Sequence, residues 1–345
     1  MNLVCPLPVT DTEVITMAHG AGGLLTHKLL QSCVFDVLGN EQLNQQHDGA
    51  YIEEHHPLAF STDSYVVTPV FFPGGNIGDL AVNGTVNDLA MCGANAKYLS
   101  LSFILEEGLP LSEFREILNS IRAAAIRAKV QIVTGDTKVV DKGKADKIFI
   151  NTSGIGIVYP GAAIHHSRIE PGDKIIISGN IATHGIAIMS VRNGLEFESN
   201  IATDSTNLNH TVMKLVDEFG TCIRFMRDPT RGGVASVLNE IAEQTHLGFC
   251  LDQHCLPIDE QVEGACEMLG LDPLYVANEG IFIAIVRGAV ADAFVSMLHH
   301  DGNGHNAAII GEVTSDYPGK VIMKSRSGGR RTINYLAGEQ LPRIC

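Results

Sequence analysis

The chain has 345 residues, 45% of them hydrophobic and 18% charged, with 24 basic against 39 acidic residues and a net charge of -15. That apolar fraction excludes a disordered chain, and the length implies two domains with room for a sizeable core. The acidic balance repels phosphodiester backbones and anionic head groups, so neither nucleic acid nor a membrane surface is an expected partner.

Met1 to Val14 lacks a basic stretch followed by an apolar one, and no apolar run approaches about 18 residues, which points to a cytoplasmic protein. Leu25, Leu29, Leu30, Val34 and Leu38 recur at helical spacing after the run His19-Gly20-Ala21-Gly22-Gly23, predicting an amphipathic helix over Gly22 to Leu38. Gly39 to Pro57 reads as a polar surface loop. A strand over Leu58 to Val67 follows, then a turn at Phe72-Pro73-Gly74-Gly75 and a helix from Gly78 to Met91. A second helix, Ser112 to Lys129, opens with Ser112 as its expected N-cap. Strands Val130 to Thr134 and Lys147 to Tyr159 complete a first α/β unit, residues 1–160, with Pro160-Gly161 as the boundary.

Residues 161–333 repeat the grammar. Strand Lys174 to Ser178 leads to helices His184 to Arg192 and Leu208 to Phe219, a polar loop Arg227 to Gly233 and helix Val234 to Gln244. Strand Ile281 to Val286, helix Ala289 to His299 and strand Ala307 to Val313 close the unit. Residues 334–345 show neither period and are expected to form a flexible tail without core contacts. The eight cysteines have no C-x-x-C pair and no zinc-closing spacing, so most should be small buried hydrophobes.

Three clusters carry the chemistry: Ser61-Thr62-Asp63, Asn83-Gly84-Thr85-Val86-Asn87-Asp88, and Thr134-Gly135-Asp136-Thr137-Lys138. Carboxylates are hard oxygen ligands for Mg²⁺, and Thr85 and Asp88 share a helix face while Gly84 permits close backbone approach. Each aspartate alone reads first as a cap or a solvated turn residue; three clusters in one predicted domain are what suggest a metal-nucleotide site. No G-x-x-x-x-G-K-[ST] is present, which excludes a P-loop. Gly22 and Gly23 could wrap phosphates at a helix start, or form a plain turn. Asp228-Pro229-Thr230-Arg231-Gly232-Gly233 before a helix would favour an anion, and Glu279, in Asn278-Glu279-Gly280, is a candidate base or a turn residue. Cys345 places a thiol on the last residue of the sequence, outside any C-a-a-X box. Ten extended residues span roughly 35 Å, so the thiol reads as a swinging covalent carrier.

Phe60-Ser61-Thr62-Asp63-Ser64-Tyr65, Phe71 to Gly78, Val133 to Val140, Asp228 to Gly233, Asn278-Glu279-Gly280 and Pro342-Arg343-Ile344-Cys345 together resemble the HypE family of hydrogenase expression/formation proteins. The resemblance runs from about His19 to Cys345. It implies an α/β (α+β), two-domain fold of the aminoimidazole ribonucleotide synthetase (PurM)-like superfamily, a homodimer, and ATP near the subunit interface. It also implies [NiFe] hydrogenase maturation. A carbamoyltransferase, HypF, loads Cys345; ATP-dependent dehydration gives a thiocyanate; cyanide passes to iron on a HypC–HypD complex. On this basis Asp63, Asp88 and Asp136 are assigned to Mg²⁺ and the ATP phosphates, Asn83 and Thr85 to the nucleotide, Glu279 to the carboxamide proton and Lys138 to the developing anion. Two alternatives stand beside it: a non-enzymatic thiol carrier, and another ATP-dependent enzyme of this fold such as selenophosphate synthetase.

Overall fold

A computed structural model of the chain describes residues 13–21, 24–45, 50, 52–192, 194, 201–302, 304–335 and 343–345. The first helix is interrupted: α1 (Leu24–Leu29) and α2 (Asp36–Leu38) flank a π-helical stretch, Leu30–Phe35. Then come β1 (Leu58–Tyr65), a short pair β2 (Phe71–Phe72) and β3 (Gly75–Asn76), α3 (Ile77–Met91), β4 (Ala94–Glu106), α4 (Leu111–Ala128), β5 (Gln131–Val140) and β6 (Ile148–Val158). The four long strands form one sheet in the order β1-β6-β4-β5.

Along β6 buried and half-buried residues alternate from Ile148, because one face packs on helices. α4 supplies part of that cover with Phe114, Ile117, Leu118, Ile121, Ala124, Ala125 and Ala128, spaced three and four apart. Its N-cap is Pro110 rather than Ser112, which falls inside the first turn. α3 is buried on every side except at Asp88, as expected of a helix with partners all round. It starts at a reciprocal cap: the Gly78 N–H donates to Asn76 Oδ1 at 2.8 Å and the Asn76 N–H donates to Asp79 Oδ1 at 2.7 Å.

The second half contains β7 (Lys174–Ile177), α5 (Thr183–Arg192), α6 (Asn209–Phe219), β8 (Ile223–Arg227), α7 (Gly233–Thr245), β9 (Gly248–Asp252), α8 (Glu260–Leu269), β10 (Ile283–Val286), α9 (Ala291–His300), β11 (Ala308–Thr314), β12 (Val321–Lys324) and β13 (Arg330–Ile333). Its seven strands run in the order β13-β12-β9-β11-β7-β10-β8. α3 is the seam between the halves. Its middle packs with β1, β4 and α4, while Ala90 and Met91 at its end join a core built from α6, α9 and β10.

Two corrections follow. The Thr134–Lys138 cluster lies inside β5, not beyond its end, so its side chains alternate between faces. The tail expected to lack core contacts has a docked tip: Ile344 is 2% exposed and belongs to the first-half core. Cys33 and Cys266 are buried as expected, but Cys92 and Cys255 are exposed.

Candidate active site

Strand register decides which predicted residues can meet. Asp63 pairs with Thr152, and Thr152 pairs across β4 with Leu101, whose β5 partner is Gly135. Side chains in one such row share a face. The Thr152 hydroxyl donates to the Ala81 carbonyl of α3 at 3.1 Å, so this row faces the helix. Asp63 therefore projects toward α3, where Ser61, on the same face, donates to Asp88 Oδ2 at 2.6 Å. Gly84 sits where the Tyr65 hydroxyl crosses the helix: a Cβ there would lie 2.2 Å from it.

Three more carboxyl groups converge from the second half. Asp228 follows β8 and is buried; burial first, then the neighbouring Asp88 and Asp63 charges, push its pKa up to about 7. Burial and Asp63 likewise raise Asp88, although the Ser61 hydrogen bond opposes them. Glu279 is 2% exposed, its Oε1 has no hydrogen-bond partner, and burial followed by Asp228, Asp204, Asp63 and Asp88 drives its pKa well above the carboxylate range. Its backbone is held from two sides. The Glu279 N–H donates to Asp204 Oδ1 at 3.2 Å, and its carbonyl accepts from Asn87 Nδ2 of α3 at 3.2 Å. Asp204 is itself raised to about 6 by burial, against backbone donors from Gly280 and Glu279.

Cys345 is seated among these acids. The Val66 N–H donates to the Cys345 carbonyl at 3.0 Å and the Thr68 N–H to the Arg343 carbonyl at 3.4 Å, so the tip lies antiparallel beside the segment that follows β1. Arg343 takes a left-handed backbone, φ 53°, and its guanidinium bonds the Val66 carbonyl, pairs with Asp146 and lies 5.7 Å from the Phe149 ring. Burial, then Glu279, Asp63 and Asp228, push the thiol far above its usual range, with Arg231 the opposing cation. The seated thiol is protonated and a poor nucleophile.

A cluster of carboxyls only partly offset by Arg227 and Arg231, with a buried, unpartnered Glu279 oxygen, fits an incoming cation. No three His, Cys, Asp or Glu side chains among the described residues close a metal cage. Mg²⁺ commonly takes one or two carboxylates and completes its shell with phosphate and water, so Asp63 and Asp88 suit a shared ion.

The remaining expected residues lie elsewhere. Asp136 falls in the row Ser64–Asn151–Ser102–Asp136, on the face turned away from α3 and at the opposite edge from β1. Three strand spacings put ~14 Å between those edges, so Asp136 does not join Asp63 and Asp88 on one ion within a single chain. Lys138 shares that outer face and pairs with Asp136 at 2.7 Å, away from Cys345. Asp136 and Lys138 rim a cavity of about 440 Å³ whose walls include Leu30, Val34, Phe35 and Phe103. Thr85 is fully buried against Thr152, at 2.5 Å, and Asn83 donates to Ser205 Oγ at 3.1 Å across the seam while its buried Oδ1 makes no hydrogen bond; these contacts tie α3 to the sheet and to the second half. Gly22 and Gly23 lie outside the described residues.

Sequence reasoning gave Asp228 and Arg231 a general anion-binding sense but no place beside Cys345. Asp204 and His184 carried no motif at all, because what distinguishes them is burial and long-range partners.

The family described as AIR synthase related protein, N-terminal domain, matches residues 46–158, and its C-terminal counterpart matches residues 170–324. Carbamoyl dehydratase HypE of Rhizobium leguminosarum bv. viciae is 48% identical over 332 residues, covering 96% of this chain and 95% of the relative. A crystal structure of hydrogenase maturation protein HypE in complex with ATP is 46% identical with a TM-score of 0.92, covering 95% of this chain and 99% of its own. The HypE chain of a HypE–HypF complex is 42% identical with a TM-score of 0.79, covering 89% and 99%.

Proposed function

Because the chain belongs to the HypE carbamoyl dehydratases, within the AIR synthase related proteins, we propose that it matures [NiFe] hydrogenase by dehydrating a carbamoyl group carried on its own Cys345. The observation that carries this reading is the docked tip: Ile344 is buried in the core and the Cys345 carbonyl is held by the Val66 N–H just beyond β1, which seats the thiol under the influence of Glu279, Asp63 and Asp228. In the reaction the carboxamide oxygen bonds to the γ-phosphorus of ATP as the bond from that phosphorus to ADP breaks; the C–O bond then breaks with phosphate leaving, and the two nitrogen protons depart, one to Glu279 and one to the released phosphate, so that S–C(=O)NH₂ becomes S–C≡N. ATP supplies the phosphoryl group that makes an amide oxygen a leaving group.

The chain's residues take the other roles. Asp63 and Asp88 would hold Mg²⁺, which would supply positive charge beside a Glu279 whose pKa burial, and then its acidic neighbours, raise. Glu279, once ionised, accepts a carboxamide proton in a pocket closed to water. Arg231 stabilises negative charge on the departing oxygen. With the tail withdrawn, HypF loads the thiol; after dehydration, HypC–HypD receives the cyanide.

The proposal includes a homodimer in the cytoplasm. The open face of the first sheet exposes Leu58 by 49%, Phe60 by 67% and Ile104 by 42%, apolar area that a second copy would cover. Docking there would set a second copy's outer face, with its Asp136 and Lys138, against β1, the strand that carries Asp63. No helix among the described residues is long and apolar enough to cross a membrane.

Mass spectrometry of the intact protein with carbamoyltransferase, carbamoyl phosphate and Mg-ATP tests the reading. The Cys345 peptide should gain one carbamoyl group and then lose one water. Glu279→Gln should retain the carbamoyl group and still bind Mg-ATP. An adduct on Cys92 or Cys222, or dehydration persisting in Cys345→Ala, would overturn it.

A further inference from the structure

We infer that His184 is a positioning residue that holds the seated tail through the Ile344 carbonyl and transmits that seating to the loop fixing Glu279. His184 lies on α5, fully buried, with the Phe72 ring edge-on at 5.8 Å. Its Nε2 is 2.9 Å from the Ile344 carbonyl oxygen. A carbonyl only accepts, so Nε2 carries the hydrogen. The other nitrogen, Nδ1, is then an acceptor and takes the Thr203 hydroxyl at 2.7 Å. Both nitrogens are thus committed, one to the tail and one to the loop of residues 201–207.

That loop is the route to the acid. The Thr203 oxygen accepts the Ser205 N–H at 3.1 Å, and the Thr203 N–H donates to the Pro73 carbonyl at 2.8 Å. Between them stands Asp204, whose carboxylate receives the Glu279 N–H at 3.2 Å. Hydrogen bonds therefore join Ile344 to His184 and His184 to Thr203, the peptide chain joins Thr203 to Asp204, and a further hydrogen bond joins Asp204 to the Glu279 backbone. When the tail withdraws, a buried Nε2–H loses its acceptor and the space filled by Ile344 opens, so the ring and the loop lose the contacts that fix them. Tail seating and Glu279 placement are one event in this geometry. Nothing in it selects the thiol chemistry; the coupling to turnover rests on the reading that Cys345 reacts at Glu279.

Site-resolved alkylation of the full chain with N-ethylmaleimide measures the holding role without any turnover. Exposed Cys92 serves as the internal control. His184→Leu should raise the Cys345 rate about 10-fold, the effect of one lost buried hydrogen bond, and leave Cys92 unchanged. His184→Gln, which can donate to Ile344 and accept from Thr203, should return the rate toward wild type. Thr203→Val gives the same acceleration from outside the ring if the leucine variant does not fold. Equal Cys345 rates in wild type, His184→Leu and Thr203→Val would overturn the holding role. On a preloaded carbamoylated tail, His184→Leu should lower kcat at least 10-fold with the KM for ATP unchanged, and His184→Gln should recover it. Faster alkylation with unchanged kcat would overturn the coupling to Glu279. A wild type that never dehydrates its tail would instead sink the proposed function, leaving the alkylation result intact.

Discussion

The imidazole that donates Nε2–H to the Ile344 carbonyl and accepts the Thr203 hydroxyl at Nδ1 is the neutral form, and burial keeps it neutral. Burial is the larger effect and Arg192 adds to it, while the Ile344 carbonyl opposes; together they lower the His184 pKa from 6.5 to about 4. The sign follows directly. Between pH 4 and 6.5 the unfolded chain binds more protons at this residue than the folded one, so stability is complete above 6.5 and declines on acidification. The loss reaches at most ~3 kcal/mol. The expected outcome is that His184→Gln melts at a less pH-dependent temperature between pH 7 and 5 than wild type. Parallel Tm curves across that range would show that His184 does not titrate with folding. The raised carboxyls, Asp228 and Glu279, act in the opposite direction in both proteins and cancel in the comparison.

At the scale of elements, α3 determines how closely the first sheet can approach the second half. A glycine in a helix interior ordinarily costs about 1 kcal/mol relative to alanine, yet Gly84 occupies one because the Tyr65 hydroxyl comes within 2.2 Å of a would-be Cβ. Gly84→Ala should therefore destabilise by ~1–3 kcal/mol as overpacking, against its helix propensity, and Tyr65→Phe in the same chain should restore part of the loss. A denaturation midpoint unchanged by Gly84→Ala would contradict the contact. α3 and α4 are legible in the sequence because helical spacing is a local signal, and Gly84 marks a close backbone approach there without naming the Tyr65 hydroxyl that makes it. β4 was not read: its first residues, Ala94-Asn95-Ala96-Lys97, are poor strand formers, and the clear alternation of Leu99, Leu101, Phe103 and Leu105 begins only midway. Missing that central strand concealed that Asp63 and Asp136 stand at opposite edges. Asp204 and His184 stayed invisible for a different reason, since their partners lie 75 and 160 residues away.

At the scale of the whole molecule, the roles expected for Asp136 and Lys138 have to be reconciled with a proposed site, at the acid cluster and Cys345, that lies on the other face of the first sheet. The separation is fixed by strand register, and small movements cannot close it because a side chain cannot change faces without a one-residue slip of β5. A second copy on the exposed Phe60 face is the economical solution, and it makes a distinctive prediction. Asp136→Asn and Cys345→Ala should each be inactive as pure proteins. If each site combines Cys345 of one copy with Asp136 of the other, a mixed dimer holds one site with both residues intact and one lacking both. Random reassociation of an equal mixture makes half the dimers mixed, so dehydration should return to ~25% of the wild-type value. Phe60→Asp should abolish the recovery by separating the copies, seen as monomer mass in light scattering. If the mixture stays inactive although the mixed dimer is detected by mass, Asp136 serves the Cys345 of its own chain or neither, and the assembly proposed across the first sheet is wrong.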